Sequence, residues 1–212
     1  MVRALREAAT DFWEQSWRLA LLNAAVSLAL LPLLVLSLWA PLLLVLAVLV
    51  AGPLAMALMH CAVTLAETED LRLGCVLSGL RLHWRRGLVL SAAVGLVATA
   101  GGVALVTYGR AGSWPLVALV LYLLGGFGVL QLCLWPLAAL EHSTPLLRVV
   151  RAALEVLLRR PLETTALALA LAVVNLLGAA AALMPLLTLT IAYSFLAAAH
   201  YVLPRNPLRE AR

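Results

Sequence analysis

The stretch "LLLVLAVLVAGPLAMALMHCAVTL", Leu42 to Leu65, decides the fold class of this chain. It contains no aspartate, glutamate, lysine or arginine over its whole length. About 20 consecutive apolar residues are enough for a helix to cross a bilayer. The run is apolar at almost every position and lacks a period-two alternation, which argues against a strand of a membrane barrel. The stretch therefore predicts a membrane-spanning helix.

The composition of the whole chain agrees with this prediction. Of its 212 residues, 65% are hydrophobic and 12% are charged, whereas a soluble domain has about 45–50% apolar and about 25% charged residues. Four long segments lack Asp, Glu and Arg, and the first and last of them are each long enough for two helices. The sequence thus predicts six transmembrane helices, at 19–38, 42–65, 88–108, 116–140, 165–183 and 186–201.

Short amphipathic segments precede each predicted pair of spans. In "GLRLHWRRG", Gly79 to Gly87, Arg81 and Arg85 share one helical face and Trp84 lies on the other. The segment "PLLRVVRAALEVLLRRP", Pro145 to Pro161, carries an arginine stripe backed by leucines, and the first eighteen residues set charged side chains opposite an aromatic face. Such segments lie along a membrane surface with their arginines toward the headgroups. The residues expected at this lipid-headgroup interface are Arg81, Arg85, Arg86, Arg148, Arg151, Arg159, Arg160 and Trp84.

The predicted fold is an all-α polytopic membrane protein. It has about six transmembrane helices arranged as three hairpins, each preceded by a short amphipathic interfacial helix. The whole chain, 1–212, forms a single transmembrane domain of three units, roughly 1–68, 69–142 and 143–212. The turns of the first and third hairpins are expected at residues 39–41 and 184–185, where proline opposes helix continuation.

The arginines also predict the orientation of the chain. All fifteen basic residues are arginine, and only Arg110 falls outside the terminal segments and the connections on one side of the membrane. The positive-inside rule then places both termini of a multi-pass protein in the cytoplasm. Anionic lipid headgroups explain these arginines, so no nucleic-acid partner is expected.

Several stretches resemble the YesL-like family of bacterial integral membrane proteins, a family of unknown function. They are "RLALLNAAVSLALLP" (18–32), "GPLAMALMHCAVTLA" (52–66), "VLSGLRLHWRRGLVLSA" (76–92), "LQLCLWPLAALEH" (130–142) and "VVRAALEVLLRRPLETT" (149–165). The resemblance implies a location in the bacterial cytoplasmic (inner) membrane and an association with carbohydrate uptake by ABC-type transporters. It leaves the path of the first hairpin open, because twenty residues separate Pro32 from Pro53 here and the corresponding motifs lie close together in the family.

Few polar side chains fall inside the predicted spans, and they form the candidate site. Asn23, His60, Thr64 and Gln131 could line a polar pocket open to the cytoplasm, or each could make an interhelical hydrogen bond. Asn175 is expected to bond a neighbouring helix. No catalytic, metal-binding or cofactor-binding set is predicted, since the cysteines lack zinc spacing and the remaining polar residues form no acid–base group.

These observations predict a non-enzymatic accessory or scaffold protein associated with carbohydrate uptake. Its expected partners are membrane lipids, and either ABC transporter subunits or a second copy of the chain, with no cofactor. Small residues in the spans fit internal packing or a partner's helix. The alternative function is a small-solute permease or channel with a cytoplasm-facing polar pocket.

Overall fold

The computed structural model describes residues 2–14, 16–37, 39–40, 42–68, 74–141, 143–180 and 190–205. Within these ranges the chain is helical and contains no strand, which confirms the all-α prediction. A short 3₁₀ turn, Leu203–Arg205, follows the last α-helix. The α-helices are α1 (Val2–Glu14), α2 (Ser16–Ser37), α3 (Leu42–Thr68), α4 (Cys75–Arg110), α5 (Trp114–Leu140), α6 (Leu146–Arg159), α7 (Pro161–Ala180) and α8 (Ile191–Val202).

Among the described residues, four helices are long and apolar enough to cross a membrane, which is compatible with a multi-pass membrane protein. Their candidate spans are Val45–Thr68, Cys75–Arg110, Trp114–Leu140 and Pro161–Gly178. Shorter apolar segments occur in α2, at Leu21–Pro32, and in α8. The predicted turn at 184–185 lies outside the described residues. Six spans arranged as three hairpins therefore stay a prediction.

The structure shows the path of the chain between α2 and α3, which the spacing of Pro32 and Pro53 left open. Helix α2 continues through Pro32 and α3 continues through Pro53. The amides of Trp39 and Ala40 both donate to the carbonyl of Leu36 at 3.1 Å. The chain therefore leaves α2 close to the expected turn, and both prolines lie within helices.

The prediction of a separate second interfacial helix was wrong. The segment from Gly79 to Gly87 belongs to α4, which continues without a break for 36 residues. By contrast, α6 ends at Arg159 and α7 begins at Pro161. The two segments read RRG and RRP, and the difference is physical: glycine keeps its backbone N–H, whereas proline cannot donate a helical hydrogen bond and suits a first helical turn. The predicted amphipathic helices at the start of the chain and before α7 are present as α1 and α6.

Helix α3 is at the centre of the packed core. It contacts α2, α4, α5 and α8, and its most extensive contact is with α4. A β-carbon on Gly87 would lie 2.7 Å from both the carbonyl oxygen of Gly52 and the Cα of Pro53. The two backbones therefore touch directly, because neither glycine has a side chain to separate them. Buried residues of α1, α6 and α8 belong to the same core cluster as the last turns of α5.

Candidate functional site

Two histidines face each other at the contact between α3 and α4. The ring centroids of His60 and His83 are 5.1 Å apart and their planes are tilted by 49°. His83 is almost completely buried. Gly79 makes room for the pair, because a β-carbon at this position would lie 3.0 Å from Cδ2 of His60. The sequence singled out His60 and missed His83, although His83 lies four residues from Gly79 and from Gly87 on one helical face.

Two thiols and one hydroxyl lie close to His60. The hydroxyl of Thr64 donates to the carbonyl of His60 at 2.8 Å, and Sγ of Cys75 lies 3.8 Å from Oγ1 of Thr64. The side chain of Cys61 is in hydrogen-bonding contact with Cys75. All three cysteines are free thiols. Across the described ranges, no group of three or more His, Cys, Asp and Glu side chains is placed to hold a metal ion.

The structure brings together only part of the predicted pocket. His60 and Thr64 are one turn apart on α3, whereas Gln131 accepts a hydrogen bond from Nε1 of Trp135 on its own helix, at 2.9 Å. Asn23 is buried in α2. Among the described residues, no hydrogen bond joins Asn23 or Gln131 to His60. Nδ2 of Asn23 and Nδ1 of His60 are buried and have no hydrogen-bond partner in the described part of the chain.

Arg86 has protein partners that the sequence did not predict. Its guanidinium donates to the carbonyl oxygens of Ala138 at 3.1 Å and Glu141 at 2.7 Å, and also to that of Thr144. These carbonyls lie at the end of α5 and just beyond it. The last carbonyls of a helix have no partners within the helix and carry a partial negative charge. Arg86 therefore ties α4 to the end of α5.

The other predicted headgroup residues are on the surface. Arg81 and Arg85 are exposed, and the guanidinium of Arg85 lies 5.2 Å from the centre of the Trp84 ring. Two pairs join neighbouring turns, namely Arg159–Glu155 at 2.6 Å and Arg160–Glu163 at 2.9 Å; Arg148 and Arg151 are also exposed. Contact with lipid headgroups stays a prediction for all of them.

The sequence did not predict the polar contact between α1 and α8, because the charges of the first segment fall opposite its aromatic face. Nε2 of His200 lies 2.8 Å from Oδ2 of Asp11, and Nδ1 lies 3.7 Å from Oε2 of Glu7. A hydrogen bond from Arg3 lowers the pKa of Glu7. The ring of Tyr193 meets that of Phe12 edge to face. The only signal in the sequence was the four-residue spacing of the two acids.

Two further hydrogen bonds join α7 to α8. Nδ2 of Asn175 donates to Oγ of Ser194 at 2.7 Å, so Asn175 bonds a neighbouring helix as predicted. The hydroxyls of Thr164 and Tyr201 lie 2.8 Å apart and are both buried. Polar side chains in this region therefore connect helices.

Comparison with known proteins gives no match of this chain to a family model, a curated protein or a solved structure. The resemblance to YesL-like proteins therefore stays a prediction, and the geometry of the chain itself has to support any function.

Proposed function

We propose that the chain is a non-enzymatic accessory or scaffold protein of the bacterial inner membrane, which binds another membrane protein within the bilayer. In this proposal it crosses the membrane six times as three hairpins, with both termini in the cytoplasm. The family resemblance suggests a carbohydrate ABC transporter as the partner, and a second copy of the chain is the other candidate.

The observation that carries this proposal is the unpacked surface of α5. Almost none of its most apolar stretch is buried, whereas nearly half of the corresponding stretch of α3 is. A β-carbon added to Gly125, Gly126 or Gly128 would meet no atom within 4 Å, in contrast to Gly101 of α4, where the side chain of Leu124 is in the way. Small residues in membrane helices let another backbone approach closely. The glycines of α5 are free of such a neighbour among the described residues.

Replacing Gly125 and Gly128 with leucine is expected to remove the partner while leaving the protein folded. Leucine side chains would hold a second helix away from the α5 backbone, and a β-carbon at either position meets no described atom within 4 Å. The measurement is the amount of partner protein, or of a differently tagged second copy, that co-purifies in mild detergent. We expect a loss of at least about ten-fold, which corresponds to about 1.4 kcal/mol.

Gly109→Leu is the matched control, because Gly109 also has open space around it and lies at the far end of α4. It should co-purify the same proteins as the natural chain. Equal recovery of partners with the double α5 variant would contradict the proposed binding surface.

The second candidate function is a small-solute permease or channel, and the histidine pair favours it. Ionisable side chains inside membrane helices are costly and often mark a path for ions or solutes. His60 and His83 lie in two candidate spans at 5.1 Å from each other, with the hydroxyl of Thr64 nearby.

His60→Gln distinguishes the two functions. Glutamine keeps a donor and an acceptor, but it cannot exchange a proton near neutral pH. If the chain is a scaffold, the variant should lose less than about 1 kcal/mol of stability and should still complement a deletion strain, because even an interhelical hydrogen bond contributes only about 0.6 kcal/mol.

The measurement is thermal unfolding in detergent beside growth of the complemented strain. Normal unfolding together with lost growth would reject the scaffold and support the permease. Gly79→Leu, which would push a side chain onto His60, provides the comparison for a variant that fails through misfolding.

A further inference from the structure

Helix α6 presents three distinct faces. Val149, Ala152, Ala153 and Val156 are buried and recur with helical spacing, and α6 packs against α5. At 3.6 residues per turn, the leucines Leu147, Leu154 and Leu158 fall on the opposite side of the helix. The charged stripe, Arg148, Arg151, Glu155 and Arg159, lies between these two faces.

The leucine face is exposed in the described part of the chain, most of all at its two ends. Leu158 is 74% exposed, Leu147 is 66% exposed and Leu154 is 39% exposed. These leucines back the arginine stripe, as the sequence predicted, but they are not the side chains of α6 that are buried against the rest of the protein. Small residues do the packing instead, which leaves a ridge of large apolar side chains beside the arginines.

We propose that α6 binds the anionic phospholipids of one membrane leaflet, with the leucine ridge among the acyl chains and the arginine stripe at the headgroup phosphates. Charge complementarity supports this occupant, because the stripe holds three arginines and one glutamate.

The position of α6 in the chain gives a second, independent argument. A single residue, Arg160, separates the end of α6 from Pro161, the first residue of the candidate span of α7. The end of α6 must therefore lie at the membrane surface if α7 crosses the bilayer. A lipid therefore fits the leucine ridge better than a soluble protein does, because the ridge lies beside the point where α7 would enter the membrane.

The paired glutamate keeps the stripe from being uniformly basic. Arg159 is already bonded to Glu155 at 2.6 Å, and both side chains remain about half exposed. A shallow groove lined by Arg151, Leu154, Glu155, Leu158 and Arg159 runs along this side of the helix. Charged and apolar side chains alternate in it, with an arginine at each end, which suits a lipid with a phosphate and an acyl chain.

The test is a titration of the purified full-length protein with short-chain phosphatidylglycerol or phosphatidylcholine, read out as the midpoint of thermal unfolding. We expect phosphatidylglycerol to stabilise the natural chain at lower concentration than phosphatidylcholine. Replacing Arg148, Arg151 and Arg159 with glutamine should raise the half-saturating phosphatidylglycerol concentration by up to about 100-fold, since each arginine near an anionic surface contributes about five-fold. The response to phosphatidylcholine should not change.

Two matched comparisons complete the experiment. Arg110→Gln removes an exposed arginine that lies at the end of α4 and not on α6. This variant should keep the phosphatidylglycerol response of the natural chain. Leu154→Ser with Leu158→Ser should weaken stabilisation by both lipids. Equal stabilisation of the natural chain by both lipids, or an unchanged response of the triple variant, would overturn the proposal. Stabilisation by inorganic phosphate as strong as that by phosphatidylglycerol would also overturn it, because it would indicate a soluble-anion site. The binding surface on α5 is not involved, so either proposal can fail alone.

Discussion

Arg86→Ala is expected to destabilise the protein by about 3 kcal/mol, because it removes a cation from the end of another helix. The Arg86 guanidinium donates to three carbonyl oxygens at and beyond the end of α5, and it is partly buried there. Hydrogen bonds to charged groups contribute about 1.5–3 kcal/mol, and bonds that share one side chain do not add fully. Lysine cannot reproduce the planar fork of donors, so Arg86→Lys should recover only part of the loss.

The neighbouring residue provides a matched control. Arg85 is exposed and its guanidinium lies over the ring of Trp84. Arg85→Ala should cost about 0.5–1 kcal/mol, the range of an exposed cation–π contact. The measurement is reversible unfolding in mixed micelles with increasing denaturing detergent. Equal losses for the two variants would show that the contacts of Arg86 do not stabilise the fold.

Gly87→Ala is expected to cost about 2–3 kcal/mol, although it adds a single methyl group. The new β-carbon would lie 2.7 Å from backbone atoms of Gly52 and Pro53, and a backbone cannot turn aside as a flexible side chain can. The helices would have to separate, which is the usual cost of overpacking a core.

Gly102→Ala tests whether the effect belongs to the contact or to glycine itself. Gly102 lies on the same helix and has no atom within 4 Å of the added carbon, so this variant should be at least as stable as the natural chain, because alanine favours a helix more than glycine does. The same unfolding measurement applies to both. A tolerated Gly87→Ala would mean that α3 and α4 are less tightly packed than the structure shows.

The sequence predicted the helical class and the long apolar helices because both depend on local composition. Runs without charge identify candidate spans whatever their neighbours are. The same local reasoning failed at Gly79 to Gly87, where arginines and a tryptophan suggested a surface helix. The decisive residues there are Gly79, His83 and Gly87, which are buried against α3. Their burial depends on the shape of the facing helix, and no periodicity within α4 reports that shape.

The candidate site was predicted only in part for a related reason. The sequence identifies His60 as a candidate because it is isolated in an apolar run. Its neighbours Cys75 and His83 lie on another helix, so the sequence does not identify them. The sequence predicted that Arg86 contacts lipid headgroups, because the residues around an arginine at a helix surface look the same whether it binds a phosphate or a carbonyl. Only the position of the end of α5 separates the two roles.

The contact between α1 and α8 constrains when the protein can finish folding. Asp11 and His200 are separated by 189 positions, and Leu5 accepts its hydrogen bond from Tyr193, 188 positions away. Ribosomes add about 5–20 residues per second, so the first helix waits roughly 10–40 s for its partner to be synthesised. During that time Asp11 lacks its partner His200. Docking of α1 on α8 is therefore a late event, which can occur only after α8 has been synthesised. A nascent chain that stops before residue 191 cannot acquire this contact.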